Sequence, residues 1–526
     1  MPIPQVLREK QYDGSVTIRC DEALFGVGLA GAREGVLAML SLGALPAQKG
    51  ETTLRFVHNP AFEAEQYSIS CGVGGVSVEA GSETAAVWAA ATVAQLRAEH
   101  GGTLPFGFTE DWPRFPWRGL LMDVCRHFFP MDTLLRLIDL MAYYKYNRLH
   151  LHLSDDQGFR FESERFPLLN SVGSWRTSTL VRRDGAAKQD GVRHGGYYTK
   201  QELRELVAYA KARGIEIVPE LDLPGHVLAI LAAYPALACF DEPVGLATSF
   251  GVSDFSKKLL CAGSEEAFSF ACSLWEELLE IFPFETVHIG GDEAVKDDWK
   301  RCPKCQRLLR EQGLRNEREL QGYFLNRISR FLKERGRTAI VWNDGLCGNL
   351  DRSIATQFWV PFLSGGAGLT ARRVNAGSTA IVSHCLRVYY DYPYALTPLK
   401  KTYRMEPVLP CIRKRRAVGV LGVEGAIWTE WIDSEEKLFF NTLPRLAATA
   451  ETGWAARKRK SYRDFRCRLQ PHYALYERLG LRYANNAERP APLWKRIRGV
   501  KTFLCEDTHA ELSLPKRANK TGKTAQ

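Results

Sequence analysis

A run of about 18 consecutive apolar residues, the length a bilayer requires, is absent from the 526-residue chain, so no membrane-spanning helix is expected. The N-terminus, MPIPQVLREKQYDG, has no apolar stretch of the kind a secretory signal needs, and a cytoplasmic protein is expected. A disulfide framework is lacking as well. The 13 cysteines are an odd number, and several, such as Cys125, Cys272 and Cys385, sit inside apolar segments, as reduced core thiols do. One CxxC occurs, Cys302 to Cys305. Without a second pair it is weak evidence for zinc, and no metal or cofactor is expected. No repeat at a fixed period is visible. The net charge of +10 comes partly from short clusters, RKRR at 413–416, RKRK at 457–460, and Lys516, Arg517, Lys520 and Lys523. No basic helix alternates with aromatics, so these read as solvated surface and nucleic acid is not an expected partner.

What is present is ordinary globular composition, 45% hydrophobic and 25% charged. Residues 1–112 read as a small α+β unit: SVTIRC, TTLRFVHN, QYSISCG and GVSVEAG have strand character, and TAAVWAAATVAQLRAEHG is helical. A Pro- and Trp-rich boundary, TEDWPRFPWRG, follows. From 113 to 455 short apolar runs recur: GLLMDV, RLHLHLSDD, IEIVPELD, TVHIGGDE, TAIVWND, IATQFW, TAIVSH and VLGVEGAIWTE. Helical segments such as TKQELRELVAYAKARG separate most of them, although the link between the fifth and sixth runs is too short for a full helix. Strand and helix alternating about eight times predict an α/β fold, a (β/α)8 TIM barrel. Residues 456–526 read as a basic helical extension ending in a tail expected to be disordered.

The runs end in acids and tryptophans: Asp123, Asp155, Asp156, Glu220, Asp222, Asp292, Glu293, Trp342, Asp344, Trp359, Trp428, Glu430. In a barrel these ends share one face, where active sites sit. Any single acid there could be a helix cap, but caps do not require tryptophans beside them. Carboxylates accept from hydroxyls and aromatic faces pack on sugar rings, so the set suggests a carbohydrate site. Asp292 and Glu293 are adjacent after Gly290-Gly291. Two close carboxylates push one pKa upward, which suits a general acid. His150 and His152 alternate on one strand and could hold a metal, but further histidines at strand ends are limited to His226 and His384. His226, after a Pro-Gly turn in PELDLPGH, could pair with a carboxylate.

These motifs, WRGLLMDVCRHF (117–128), NRLHLHLSDDQGFR (147–160), GGYYT (195–199), PELDLPGH (219–226), HIGGDEA (288–294), VYYD (388–391) and GVEGAIWTE (422–430), resemble those of glycoside hydrolase family 20, in the family's order. The first unit is similar to the family's non-catalytic N-terminal domain. The resemblance implies a β-N-acetylhexosaminidase that releases terminal, non-reducing β-linked GlcNAc or GalNAc from a glycan or glycoconjugate. It also implies substrate-assisted retention, in which the 2-acetamido oxygen is the nucleophile. It makes Glu293 the acid/base and Asp292 the group that orients the acetamido. Tyr389 would bond its oxygen, and Asp155 and His226 would support Glu293, with Asp156 sharing that role or meeting substrate. Trp342, Trp359 and Trp428 would wall the sugar, and Arg118, Asp391 and Glu430 would hold ring hydroxyls. Phe159, Asn343-Asp344 and Glu424 stand where relatives often carry Trp, Asp-Glu and Gln. Two rivals remain at this stage: a non-catalytic sugar-binding relative, and a metal-dependent hydrolase built on His150 and His152.

Overall fold

The computed structural model of the chain describes residues 2–42, 52–183, 186–248, 258–361, 366–487, 489 and 491–507. Its first unit contains β1 (Arg8–Phe25), β2 (Thr52–His58), β3 (Tyr67–Gly72), β4 (Gly75–Ala80) and β5 (Thr103–Asp111). They pair in the order β1-β2-β4-β3-β5, with β5 returning to β1. The segment of β5, TLPFGFTED, was not read as a strand, because Pro105 and Gly107 interrupt its alternation. The helix Glu83–Glu99 is capped by Ser82, whose Oγ accepts from the Ala85 N–H. It is buried throughout from Ala85 to Arg97, as a helix enclosed on both sides must be. Gln95 donates from it to the Tyr143 carbonyl at the end of the first barrel helix, Met131–Tyr143 (2.9 Å).

Each of the eight apolar runs falls on one barrel strand, the first of which starts two residues ahead of its run: β6 (Trp117–Asp123), β7 (Arg148–His152), β8 (Glu216–Glu220), β9 (Thr286–His288), β10 (Thr338–Trp342), β11 (Ala355–Phe358), β12 (Ala380–Val382) and β13 (Val420–Ile427). All neighbours are parallel and β13 closes on β6, giving the (β/α)8 barrel. Both faces of these strands are covered, which is why they read as unbroken apolar runs rather than alternating ones. Surrounding helices begin where the sequence caps them. Thr199 and Glu202 form a reciprocal capping box at Lys200–Ala212. Between β10 and β11 the helix is reduced to one turn, Asn343–Gly345, yet the strands pair directly, Trp342 opposite Gln357.

Arg118 lies near the start of β6, at the end of the barrel opposite the strand C-termini. Its guanidinium grips Glu65 of the first unit through two bonds of 2.6 and 2.9 Å, and Nε donates to the Lys145 carbonyl. The expectation that Arg118 holds a sugar hydroxyl is therefore corrected: it joins the two units. Beside it the buried Lys145 ammonium contacts Asp111 Oδ2 (3.0 Å) and the Tyr67 hydroxyl (2.7 Å), and Trp454 Nε1 donates to Asp111 Oδ1 (2.9 Å). Arg118→Ala is expected to cost about 3 kcal/mol in urea unfolding, as loss of one partner of a buried ion pair does. KM for substrate should be unchanged, whereas a sugar-binding arginine would raise it.

Among the described residues no helix is long and apolar enough to cross a membrane. The RKRR cluster is exposed as expected. Lys460 of the second cluster instead turns inward to Thr452 Oγ1 (2.8 Å). Lys516, Arg517, Lys520 and Lys523 lie outside the described residues.

Candidate active site

The bend after β9 decides where the two adjacent acids point. Gly290 and Gly291 take φ of 63° and 97°, conformations that cost glycine little. A Cβ on Gly290 would lie 1.7 Å from Asp222 Oδ1, and the Gly291 N–H donates to that same oxygen (2.9 Å). Glu293 then adopts φ of 43°, a left-handed conformation rare for a side-chain-bearing residue. The two carboxylates thus leave the strand line. Asp292 turns toward Asp222, while Glu293 remains partly exposed and its own N–H donates to Asp344 Oδ2 (2.9 Å).

Behind Glu293 stands a relay. His226, itself at φ of 52°, presents Nε2 at 3.6 Å from Glu293 Oε2 and 3.8 Å from Asp292 Oδ2. Its Nδ1 meets Asp155 Oδ1 and Asp156 Oδ2, each at 3.3 Å. Burial opposes the charged imidazole, but Asp155 and then Asp156 and Glu293 outweigh it and hold the pKa of His226 well above the usual value. Burial would raise Asp155, yet Arg126 (Nη2 at 2.7 Å) and His226 keep it well below the carboxylate range. Asp292 is different. Burial, reinforced by Asp222, pushes it well above its ordinary value, and burial raises Asp222 to about 8. The raised carboxyl is thus Asp292, and its cause is enclosure and Asp222 rather than its chain neighbour.

Aromatic side chains close the floor and walls. Trp342, Tyr389 and Trp428 form one buried cluster, with Trp359 against it. Trp342 Nε1 donates to Glu220 (2.8 Å) and Trp359 Nε1 to Asp344 Oδ1 (2.9 Å). The rings of Trp359 and Tyr389 are nearly parallel, 10° apart, with centroids 6.2 Å apart. Arg126 lies over Trp428 (4.8 Å) and within 3.9 Å of Glu430. Among the described residues, no group hydrogen-bonds Arg126 Nε or Nη1, Asp292 Oδ1 or Asp391 Oδ1. Buried polar atoms in that state are costly unless a ligand satisfies them. Together they form a polar rim around an aromatic bowl.

Residues 115–457 match the glycosyl hydrolase family 20 catalytic domain. The chain belongs to this family. It is similar to the β-hexosaminidase of Akkermansia muciniphila, 35% identical over 429 residues covering 78% of this chain and 84% of that protein. The β-N-acetylhexosaminidase of Cellulomonas fimi is 32% identical over 441 residues, covering 80% of each. Among solved structures, the family 20 exo-β-N-acetylglucosaminidase of Vibrio harveyi, in complex with N-acetylglucosamine, superposes with a TM-score of 0.78 at 27% identity, covering 92% of this chain and 78% of that one. As a family 20 member the chain is a glycosidase of the β-N-acetylhexosaminidase type.

Within this family 20 site the structure brings together Asp155, His226, Asp292, Glu293, Trp342, Trp359, Tyr389, Asp391, Trp428 and Glu430. Two expected substrate contacts fall elsewhere. Arg118 is at the far end, and the arginine that does face the bowl is Arg126. Its position past the C-terminal end of β6 was the available signal. Asp156 is fully buried, its Oδ1 accepts from the Leu228 N–H (3.0 Å) and its Oδ2 lies 3.3 Å from His226 Nδ1, the contacts of a residue that positions the histidine. His150 and His152 lie beneath the tryptophans: His150 Nδ1 is 2.9 Å from Glu424, and His152 bridges Glu220 and Asp155. That layer is a buried network of histidines and carboxylates beneath the bowl. Phe159 is likewise buried, packed on Phe161 (4.5 Å). Asp222 and Asp344, which the sequence offers as strand ends and, for Asp344, as a departure from relatives, are the neighbours that hold the Gly291 and Glu293 N–H groups. The reading of Cys302 and Cys305 as a pair without partners is also corrected, since Cys239 and Cys261 lie against them.

The acids at the rim set a pH dependence. Burial raises Glu430 to about 7, with Arg126 opposing, and burial plus the charge of Glu430 puts Asp391 well above its usual range. Below about pH 7 the Glu430 carboxyl is protonated. Rising pH ionises it and makes it the stronger acceptor for a hydroxyl. KM is therefore expected to fall as pH rises through about 7, and Glu430→Gln should flatten that change in steady-state kinetics.

Proposed function

We propose that the chain is an exo-acting, retaining enzyme that removes terminal β-linked GlcNAc or GalNAc through an oxazolinium-like intermediate. The observation that carries this reading is the unequal environment of the two adjacent acids. Asp292 is enclosed with raised proton affinity, whereas Glu293 is partly exposed at the mouth and backed by the Asp155–His226 relay. The ordinary two-acid scheme sets its carboxyls on either side of the scissile bond, whereas Asp292 and Glu293 both lie against one nitrogen, His226 Nε2, at 3.8 and 3.6 Å.

In the first step Glu293 gives its proton to the leaving oxygen as the acetamido oxygen closes on C1 and the glycosidic bond breaks. Asp292 accepts from the acetamido N–H, whose acidity grows as the ring closes. An acceptor of raised proton affinity strengthens that bond in the transition state more than in the ground state. Tyr389 donates to the acetamido oxygen and aligns it. In the second step Glu293 takes a proton from water as water attacks C1 and the ring opens, returning the acetamide and the β-anomer. Asp391, Glu430 and Arg126 enclose the ring hydroxyls of the terminal sugar, which supports the exo mode.

The test is hydrolysis of p-nitrophenyl β-N-acetylglucosaminide, its galacto epimer and the plain β-glucoside, with the first product followed by proton NMR. Appearance of the β-anomer first, together with inertness toward the glucoside, supports the reading. An α-anomer first, or comparable rates on the glucoside, removes it.

A further inference from the structure

The four cysteines Cys239, Cys261, Cys302 and Cys305 converge from two loops. Sγ–Sγ separations are 3.7 Å for Cys239–Cys305, Cys261–Cys302 and Cys261–Cys305, and all four sulfurs lie within 4.8 Å of one another. Zinc–sulfur bonds of about 2.3 Å at tetrahedral angles place sulfurs about 3.8 Å apart. A disulfide would need about 2.05 Å, and the structure records all four as free thiols. Cys261, Cys302 and Cys305 are wholly buried, and Cys239 is partly so. We propose that these four residues bind one structural zinc ion, unconnected with the glycosidase chemistry.

The surroundings are built for such a site. Cys302 precedes the helix Pro303–Glu311 and Cys305 sits in its first turn, where N–H groups favour thiolate. The Gly263 N–H bonds to the Cys261 sulfur. Gly263 also lies flat on the Lys304–Cys305 peptide, where a Cβ would be 2.3 Å from the Lys304 carbonyl carbon. Cys261 itself is held by its N–H to the Leu237 carbonyl (2.9 Å), and Trp299 Nε1 donates to the Leu260 carbonyl (3.0 Å). Four protein sulfurs complete the tetrahedron with no position for water or substrate, the arrangement of a structural rather than a catalytic zinc. Sulfur-only tetrahedral coordination also selects zinc over the oxygen-seeking cations.

The placement gives the site its task. Cys239 and Cys261 belong to the loop after β8, which carries Asp222 and His226. Cys302 and Cys305 follow the segment after β9 that carries Asp292 and Glu293. The ion would staple together the two loops whose side chains meet across the catalytic bowl.

The experiment is elemental analysis of the full chain purified without added metal, followed by release of the ion with a mercurial reagent in the presence of a zinc indicator. One zinc per chain, freed only as the thiols react, supports the proposal. Cys302→Ser/Cys305→Ser should lose the zinc and melt at a lower temperature. Should that variant fail to fold, Cys305→His keeps a zinc-competent ligand and is expected to retain the metal, and growth with cobalt should give the intense visible bands of a tetrahedral cobalt thiolate. A zinc-free wild type with these four thiols free, a pair of disulfides at these positions, or zinc retained by the double serine variant would each overturn it.

Discussion

Glu293→Gln is expected to lower kcat by about 100- to 10,000-fold, the usual contribution of a positioned acid/base. The amide keeps the shape of the side chain, and the backbone N–H bond to Asp344 is untouched, so the fold and the sugar affinity should survive. The loss should depend on the leaving group. A p-nitrophenolate departs with little protonic help, whereas a sugar alkoxide needs the proton, so a disaccharide should suffer far more than the aryl glycoside. The pH profile should change too, because the group that cycles between acid and base is gone. Steady-state kinetics on both substrates, with calorimetric titration of N-acetylglucosamine, checks this. Retained binding with lost turnover fits the acid/base role. A wild type that binds the sugar but turns over neither substrate would instead favour the non-catalytic relative.

Asp292→Asn is expected to cost about 100- to 1,000-fold in kcat, comparable to removing one preorganised electrostatic partner of a transition state. Asp292 Oδ1 has no hydrogen-bond partner among the described residues, and the carboxyl is enclosed with Asp222. In the Asn variant the side chain can still meet the acetamido group but lacks the high proton affinity that the acetamido N–H calls on as the ring closes. KM should move little, because the lost interaction strengthens only as the intermediate forms. Pre-steady-state measurement should place the defect in the first chemical step. A rise in KM with kcat preserved would mean that Asp292 merely binds the ground state, and the substrate-assisted reading would lose its central support.

The barrel was legible because its strands, covered on both faces, leave unbroken apolar runs in the sequence. The active face was legible because acids and tryptophans end those runs. What sequence left out is instructive. Arg118 precedes its run and Arg126 follows it, so position along β6 separates a strut from a site residue although both stand in one motif. The raised carboxyl could not be assigned from adjacency, because the Gly290-Gly291 bend brings Asp222, seventy positions earlier, against Asp292. β5 was hidden by Pro105. The cysteine cluster was hidden because Cys239 and Cys261 lie in a loop with no spacing signature, and folding alone brings them to the CxxC.

The clasp between Arg118 and Glu65, with Lys145 on Asp111, bears on how such a chain can be inherited. Two cations rooted in the barrel find their counter-charges on the preceding unit, and both are almost wholly enclosed. A barrel beginning near residue 113 would leave them stranded. The first unit, though the bowl residues described above all come from the barrel, is therefore no interchangeable module. Shuffling, trimming or fusion would have to move it with the barrel, or replace Arg118 and Lys145 together with the acids they meet.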